Sequence, residues 1–116
     1  MVDKIIEKAN RLETSLPGEV LSMCGYTSNR VRVLLNELGA ISKRHLEIGV
    51  GSGATIVATM HGNNLTSYAI DNFSQFSDKK KFYEAIKNYK VKVFEQDAFG
   101  LRGSAHDESD RCHGFQ

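Results

Sequence analysis

Apolar and polar positions alternate with two different periods along this chain, and the switches between them mark its elements. Ile5, Ile6, Ala9 and Leu12 share one face of a helix over residues 2–12. Leu16-Pro17-Gly18 breaks the chain, and Val20 to Met23 allow a short helical turn before Gly25. A longer helix follows, capped by Thr27 or Ser28, with Val31, Leu34, Leu35 and Leu38 as its apolar face and Gly39 just past its end. The period then changes to two. Leu46, Ile48 and Val50 alternate along a first strand starting near Arg44, and the run Ala54, Ile56, Val57, Ala58, Met60 returns to a helix closed by His61-Gly62-Asn63. Leu65 to Ile70 reads as a second, buried strand. Ser77 is the expected N-cap of a helix reaching Tyr89, with Phe82, Ile86 and Tyr89 on one face, and Val91 to Glu95 alternates as a third strand.

Helices followed by strand, helix, strand, helix, strand predict an α/β fold with parallel strands and right-handed crossovers. The expected architecture is a partial doubly wound, Rossmann-like sheet in the order 3-2-1, with amino-terminal helices over 1–42, a βαβαβ half-domain over 43–100 and an irregular tail over 101–116. The tail lacks apolar periodicity. Its His106, Cys112 and His113 have no fourth ligand and no standard spacing, so no metal site is assigned. The side of strand one that a fourth strand would occupy is expected to be an open apolar edge, a place for self-association or for a partner chain. The change of composition near Gly100 fits a truncated, split or frame-disrupted gene product.

Composition narrows the class only slightly. In 116 residues, 15 Lys and Arg oppose 14 Asp and Glu, leaving a net charge of +1 and no general attraction to nucleic acid or anionic membrane. The adjacent Lys79, Lys80 and Lys81, with Lys87, fan around a helix as a solvated surface does. No apolar run approaches the roughly 20 residues that span a bilayer, and residues 1–12 contain no signal-peptide core. Cys24 and Cys112 form no ligand or redox pair and are expected to be buried or inert thiols in a reduced, cytoplasmic setting.

Candidate chemistry gathers at the carboxyl ends of the three strands, where open α/β sheets hold ligands. Gly49, Gly51 and Gly53 fall at every second position, which a strand interior does not tolerate but a ligand-cradling turn requires. Asp71 closes strand two, about twenty residues beyond the turn, the separation suited to a carboxylate on a ribose. Asp97 follows strand three. Gly49, Gly51 and Ala54 also satisfy GxGxxA, the pattern of a NAD site. Against that stand the acid at Glu47, inside the strand where a dinucleotide site has an apolar residue, and the third glycine at Gly53.

With Glu47 leading it, the run Glu-x-Gly-x-Gly-x-Gly resembles the first motif of the class I S-adenosylmethionine-dependent methyltransferases. The resemblance covers residues 28 to 99. It implies S-adenosylmethionine as cofactor, Glu47 near the methionine ammonium, room for methionine and ribose over Gly49, Gly51 and Gly53, Asp71 on the ribose hydroxyls, Asn72 beside the adenine, Asp97 accepting from the adenine amino group and the Ala98 N–H meeting a ring nitrogen. Each acid has another use open to it. Glu47 can pair with Arg44 or Lys43, Asp71 can be structural, Asp97 can cap a turn, Asn72 can be a plain turn residue, and Phe73 can close the core instead of meeting the adenine. The family continues into strands four and five, which carry substrate recognition and any general base, so no catalytic residue is assigned and the methyl acceptor stays open. The Ile70-Asp71 strand end followed by a loop is most similar to small-molecule O-methyltransferases. The other classes left standing are a non-catalytic partner protein that associates through the open edge and a NAD-binding oxidoreductase fragment.

Overall fold

The structure, a computed structural model, describes residues 1–75 and 77–97. Its elements run α1 (Val2–Asn10), α2 (Gly18–Leu21), α3 (Asn29–Ala40), β1 (Arg44–Ile48), α4 (Ala54–Met60), β2 (Thr66–Ile70), α5 (Lys79–Ile86) and β3 (Val91–Phe94). The strands form an α/β open sheet in which β2 lies between β1 and β3 and both pairings are parallel. The tail from 101 onward, with His106, Cys112 and His113, and the candidate Ala98 lie outside the described residues. Among the described residues no helix is long and apolar enough to cross a membrane.

Strand register sorts side chains onto two unlike faces, because paired residues in a parallel sheet point the same way. His45, Ser67 and Val91 form one row and Glu47, Ala69 and Val93 the next. Helices α4 and α5 cover this side. Ile56, Val57, Phe82 and Ile86 join Ala69 in the core, with Val91 and Val93 packed against it, and the Ser67 hydroxyl lies 2.8 Å from Met60 Sδ. The opposite rows are Leu46, Tyr68, Lys92 and Ile48, Ile70, Phe94. Here Leu46 is 57%, Ile48 59% and Phe94 45% exposed, and Lys92 stands over the Tyr68 ring at 5.9 Å. The second strand is therefore covered on one side only, not buried on both.

Helix α3 departs from its apolar pattern. Its buried face is Arg32, Val33, Asn36 and Gly39, while Leu34, Leu35 and Leu38 are half-buried and Val31 is exposed. Hydrogen bonds account for the inversion. Asn36 Nδ2 donates to the Ala58 and His61 carbonyls at 2.8 Å, and Asn63 Nδ2 returns bonds to the carbonyls of Asn36 (2.8 Å) and Thr59 (2.9 Å). Gly39 is not a C′ residue, since α3 continues to Ala40. A Cβ there would stand 2.3 Å from the Thr59 carbonyl oxygen, so glycine is what lets α3 approach α4 this closely.

Smaller boundaries also move. Helix α1 stops at Asn10, leaving Leu12 exposed at φ 55° and Ile6 outside the core. Ser28 caps α3, accepting from Val31 N–H, as one of the two expected caps. At α5 the cap is Asp78, which accepts from Lys81 N–H, and the helix ends at Ile86 short of Tyr89. The Ser77 hydroxyl is instead engaged with Gly51 and Asp71.

Candidate functional site

The glycine turn joins β1 to α4 with Gly49 at φ 78°, Gly51 at 57° and Gly53 at 97°, backbone angles that a side chain resists. The three glycines nevertheless serve different ends. A Cβ on Gly53 would lie 3.1 Å from Ala85 Cβ and 3.4 Å from Phe82 Cδ1, so this glycine admits α5. Gly49 and Gly51 instead line a cleft of about 90 Å³ with Val50, Ser52 and Thr55, closed on its far side by Cys24 to Thr27. A wider groove of about 500 Å³ shares Cys24 and Ser52 with it and runs past Asp78, Lys81 and Ala85 of the α5 region. Cys24 is a free thiol exposed at this junction, so of the two expected states, buried or inert, it is not the buried one, and Cys112 lies outside the described residues.

Asp71 holds the turn in shape. Its Oδ2 accepts from the Val50 N–H at 2.9 Å and from the Ser77 hydroxyl, and its Oδ1 accepts from the Phe73 N–H at 2.7 Å. The Ser77 oxygen in turn accepts from the Gly51 N–H at 2.9 Å, and the Asp78 N–H donates to the Gly51 carbonyl at 3.2 Å. One carboxylate and one hydroxyl thus tie the end of β2, the start of α5 and the turn together. Ser77 was legible only as a cap, because nothing in the spacing of Gly51 and Ser77 announces that they meet.

Glu47 points to the helix-covered side. Its Oε2 accepts from the Thr55 hydroxyl at 2.5 Å, and its Oε1 stands 3.3 Å from His45 Nε2. These partners stand where an ion pair with Arg44 or Lys43 was expected; Arg44 alternates to the other side of the strand, and Lys43 precedes it. Neither cleft is lined by Glu47, Asp71, Asn72 or Asp97, although Thr55 connects Glu47 to the smaller one. Asn72 Oδ1 accepts from the Ser74 N–H at 3.0 Å and from its hydroxyl, a local turn. Phe73, at φ 56°, packs on Phe82 and Tyr83 with centroids 5.7 and 6.0 Å away, so it closes the core. Asp97 follows β3 beyond Glu95 and Gln96.

Arg32 beside the cleft, and Tyr83 and Glu95 beside β3, have displaced titrations. Arg32 is 2% exposed; its Nε donates to Thr27 Oγ1 and one terminal nitrogen to the carbonyls of Val20 and Leu21, all at 3.0 Å. Burial lowers its pKa and the nearby Cys24 works in the opposite direction. The guanidinium fixes the segment that walls the cleft. Beside β3, the Tyr83 hydroxyl donates to Glu95, which also pairs with Lys79 at 2.8 Å. That hydrogen bond, with some desolvation and the charge on Glu95, pushes the phenol up to about 12, while Lys79 and then Tyr83 hold the Glu95 carboxyl below its usual value. Among the described residues no cluster of His, Cys, Asp and Glu could hold a metal ion.

No protein-family model matches this sequence, and no curated protein matches it either.

Proposed function

We propose that this chain binds S-adenosylmethionine through the turn at Gly49–Gly53, as the first half of a doubly wound, Rossmann-like methyltransferase sheet of order 3-2-1. The observation that carries the reading is the turn itself, with positive φ at each of three alternate glycines between β1 and α4 and its Val50 N–H held by the acid that ends β2. A sulfonium ligand bearing an ammonium, a carboxylate and a ribose needs acids on one side and close backbone on the other. Gly49 and Gly51 give the backbone approach. Among the described residues each Glu47 oxygen has one partner and Asp71 Oδ1 accepts from Phe73, so both carboxylates keep lone pairs for an ammonium or a hydroxyl. Methyl transfer would be an SN2 attack on the sulfonium methyl, driven by positioning. The acceptor that best suits the strand end is a small-molecule hydroxyl, and no residue is assigned to activate it.

Calorimetry on the full chain with S-adenosylhomocysteine and with NAD tests this. The expected result is binding of the former, weakened about tenfold by Glu47→Gln, a loss of about 1.4 kcal/mol, and none of the latter. Binding of NAD alone, or of neither ligand, overturns it. Asp71→Ala is a poor probe here, because it removes the support of the turn along with any ribose contact.

A further inference from the structure

From the geometry of β1 we infer that its outer edge is a self-pairing site, at which two copies of this chain join antiparallel about a twofold axis through Leu46. This goes beyond the ligand proposed above and does not depend on it.

The ladder between β1 and β2 fixes which main-chain groups are in use. It begins with Thr66 N–H on the Lys43 carbonyl and closes with Gly49 N–H on the Ile70 carbonyl. In a parallel pair only alternate residues of a strand bond to a given neighbour, so 43, 45, 47 and 49 face β2. The N–H and C=O groups of Arg44, Leu46 and Ile48 point away from it. No other strand of the described residues lies there, because β1 is the end of the sheet.

Natural edges are blunted by prolines, bulges, or a lysine in the middle of the strand. Arg44-His45-Leu46-Glu47-Ile48 has no proline, bulge or central lysine. Its charged residues are Arg44 at its start and Glu47, already paired on the helix-covered side, and its side chains at 46 and 48 are apolar and more than half exposed. Its sequence is also complementary to its own reverse. With Leu46 opposite the partner's Leu46, Arg44 falls opposite the partner's Ile48 and His45 opposite the partner's Glu47. The outward-facing residues are then the hydrogen-bonded pairs, so each finds both a donor and an acceptor. On the bare face Leu46 meets Leu46, and the arginine stem lies along Ile48. On the helix-covered face an imidazole meets a carboxylate, the charge pairing that favours this register over one shifted by a residue. The occupant that fits is therefore a second copy.

Sedimentation of the full chain across a concentration series tests the association, and cysteine pairing tests the register. In a Cys24→Ser, Cys112→Ser background, Leu46→Cys should form a symmetric disulfide on mild oxidation, because paired residues in such a ladder sit about 5.5 Å apart. Arg44→Cys alone should not, whereas Arg44→Cys combined with Ile48→Cys should. Leu46→Lys sets two like charges face to face at an already exposed position, and it should give a folded monomer at concentrations where the parent chain is a dimer. A parent chain that stays monomeric throughout, a dimer indifferent to Leu46→Lys, or cross-linking at 44 without 46 overturns the inference.

Discussion

Asp71 accepts a hydrogen bond from the Val50 N–H across 2.9 Å, so the residue that ends β2 holds the backbone of the turn that ends β1. The bond spans twenty-one positions of sequence and makes the two strand ends one unit. The same carboxylate takes the Ser77 hydroxyl and the Phe73 N–H. Replacing it with alanine leaves partly buried donors without a partner. Such a change costs about 2–3 kcal/mol, read as a lower urea midpoint with unchanged m. Ser77→Ala should cost less, because Asp71 still holds Val50 while only the Gly51 N–H loses its acceptor. Equal losses in the two variants would mean that Ser77, not Asp71, anchors the turn.

Gly39 supplies a sharper test of packing. Glycine to alanine inside an exposed helix normally stabilises it by about 1 kcal/mol. At Gly39 the added carbon would stand 2.3 Å from the backbone oxygen of Thr59, which cannot rotate away. We expect Gly39→Ala to destabilise the protein by about 3 kcal/mol, whereas Gly18→Ala, with nothing within 4 Å, should be neutral or stabilising by about 0.5 kcal/mol. Thermal melts of the two variants decide it.

The contrast between these glycines shows where sequence patterns carry information. Element order, the three strands and the glycine turn were legible because period and breakers are local. The buried face of α3 was not. A pattern of leucines at 34, 35 and 38 outweighs Arg32 and Asn36 on any hydrophobic scale, yet the polar pair is buried because its acceptors arrive from α2 and from the end of α4. The site shows the same division. Asp71 lies where strand two was expected to end and Glu47 within strand one, but their partners Thr55, His45 and Ser77 depend on which way each strand faces. A single fact, that α4 and α5 cover one side of the sheet, settles those directions, and no local pattern contains it.

Tyr83 and Glu95 make a pH-dependent contact. The tyrosine pKa is raised to about 12, so its share of stability is complete below the ordinary phenol value of 10.0 and is lost as pH rises through about 12. The Glu95 pKa is lowered, so its share is present above the ordinary carboxyl value and is lost as pH falls through the displaced one. Phenolate absorbance should therefore show Tyr83 titrating late, alongside Tyr89, whose pKa burial also raises, and only the Tyr83 step should return toward 10.0 in Glu95→Gln. Both side chains are well exposed, so added salt should shrink the Lys79 contribution to the carboxyl shift. A titration that does not respond to Glu95→Gln would remove the hydrogen bond as the cause.

Gly53 separates the two uses of the glycine turn. Its φ of 97° strains any side chain, and its missing Cβ faces Ala85 at 3.1 Å, away from the cleft that Gly49 and Gly51 line. Backbone strain of about 1–2 kcal/mol and the tight contact should both appear in Gly53→Ala. Ala85→Gly can relieve only the second. A double-mutant cycle should thus recover about 0.5–1 kcal/mol and no more. Ligand affinity gives the independent reading, because S-adenosylhomocysteine should bind Gly53→Ala within a few-fold of the parent but bind Gly51→Ala far more weakly. The reverse order would assign the third glycine to the ligand, as the motif alone implies, and would place the cofactor on the α5 side of the turn.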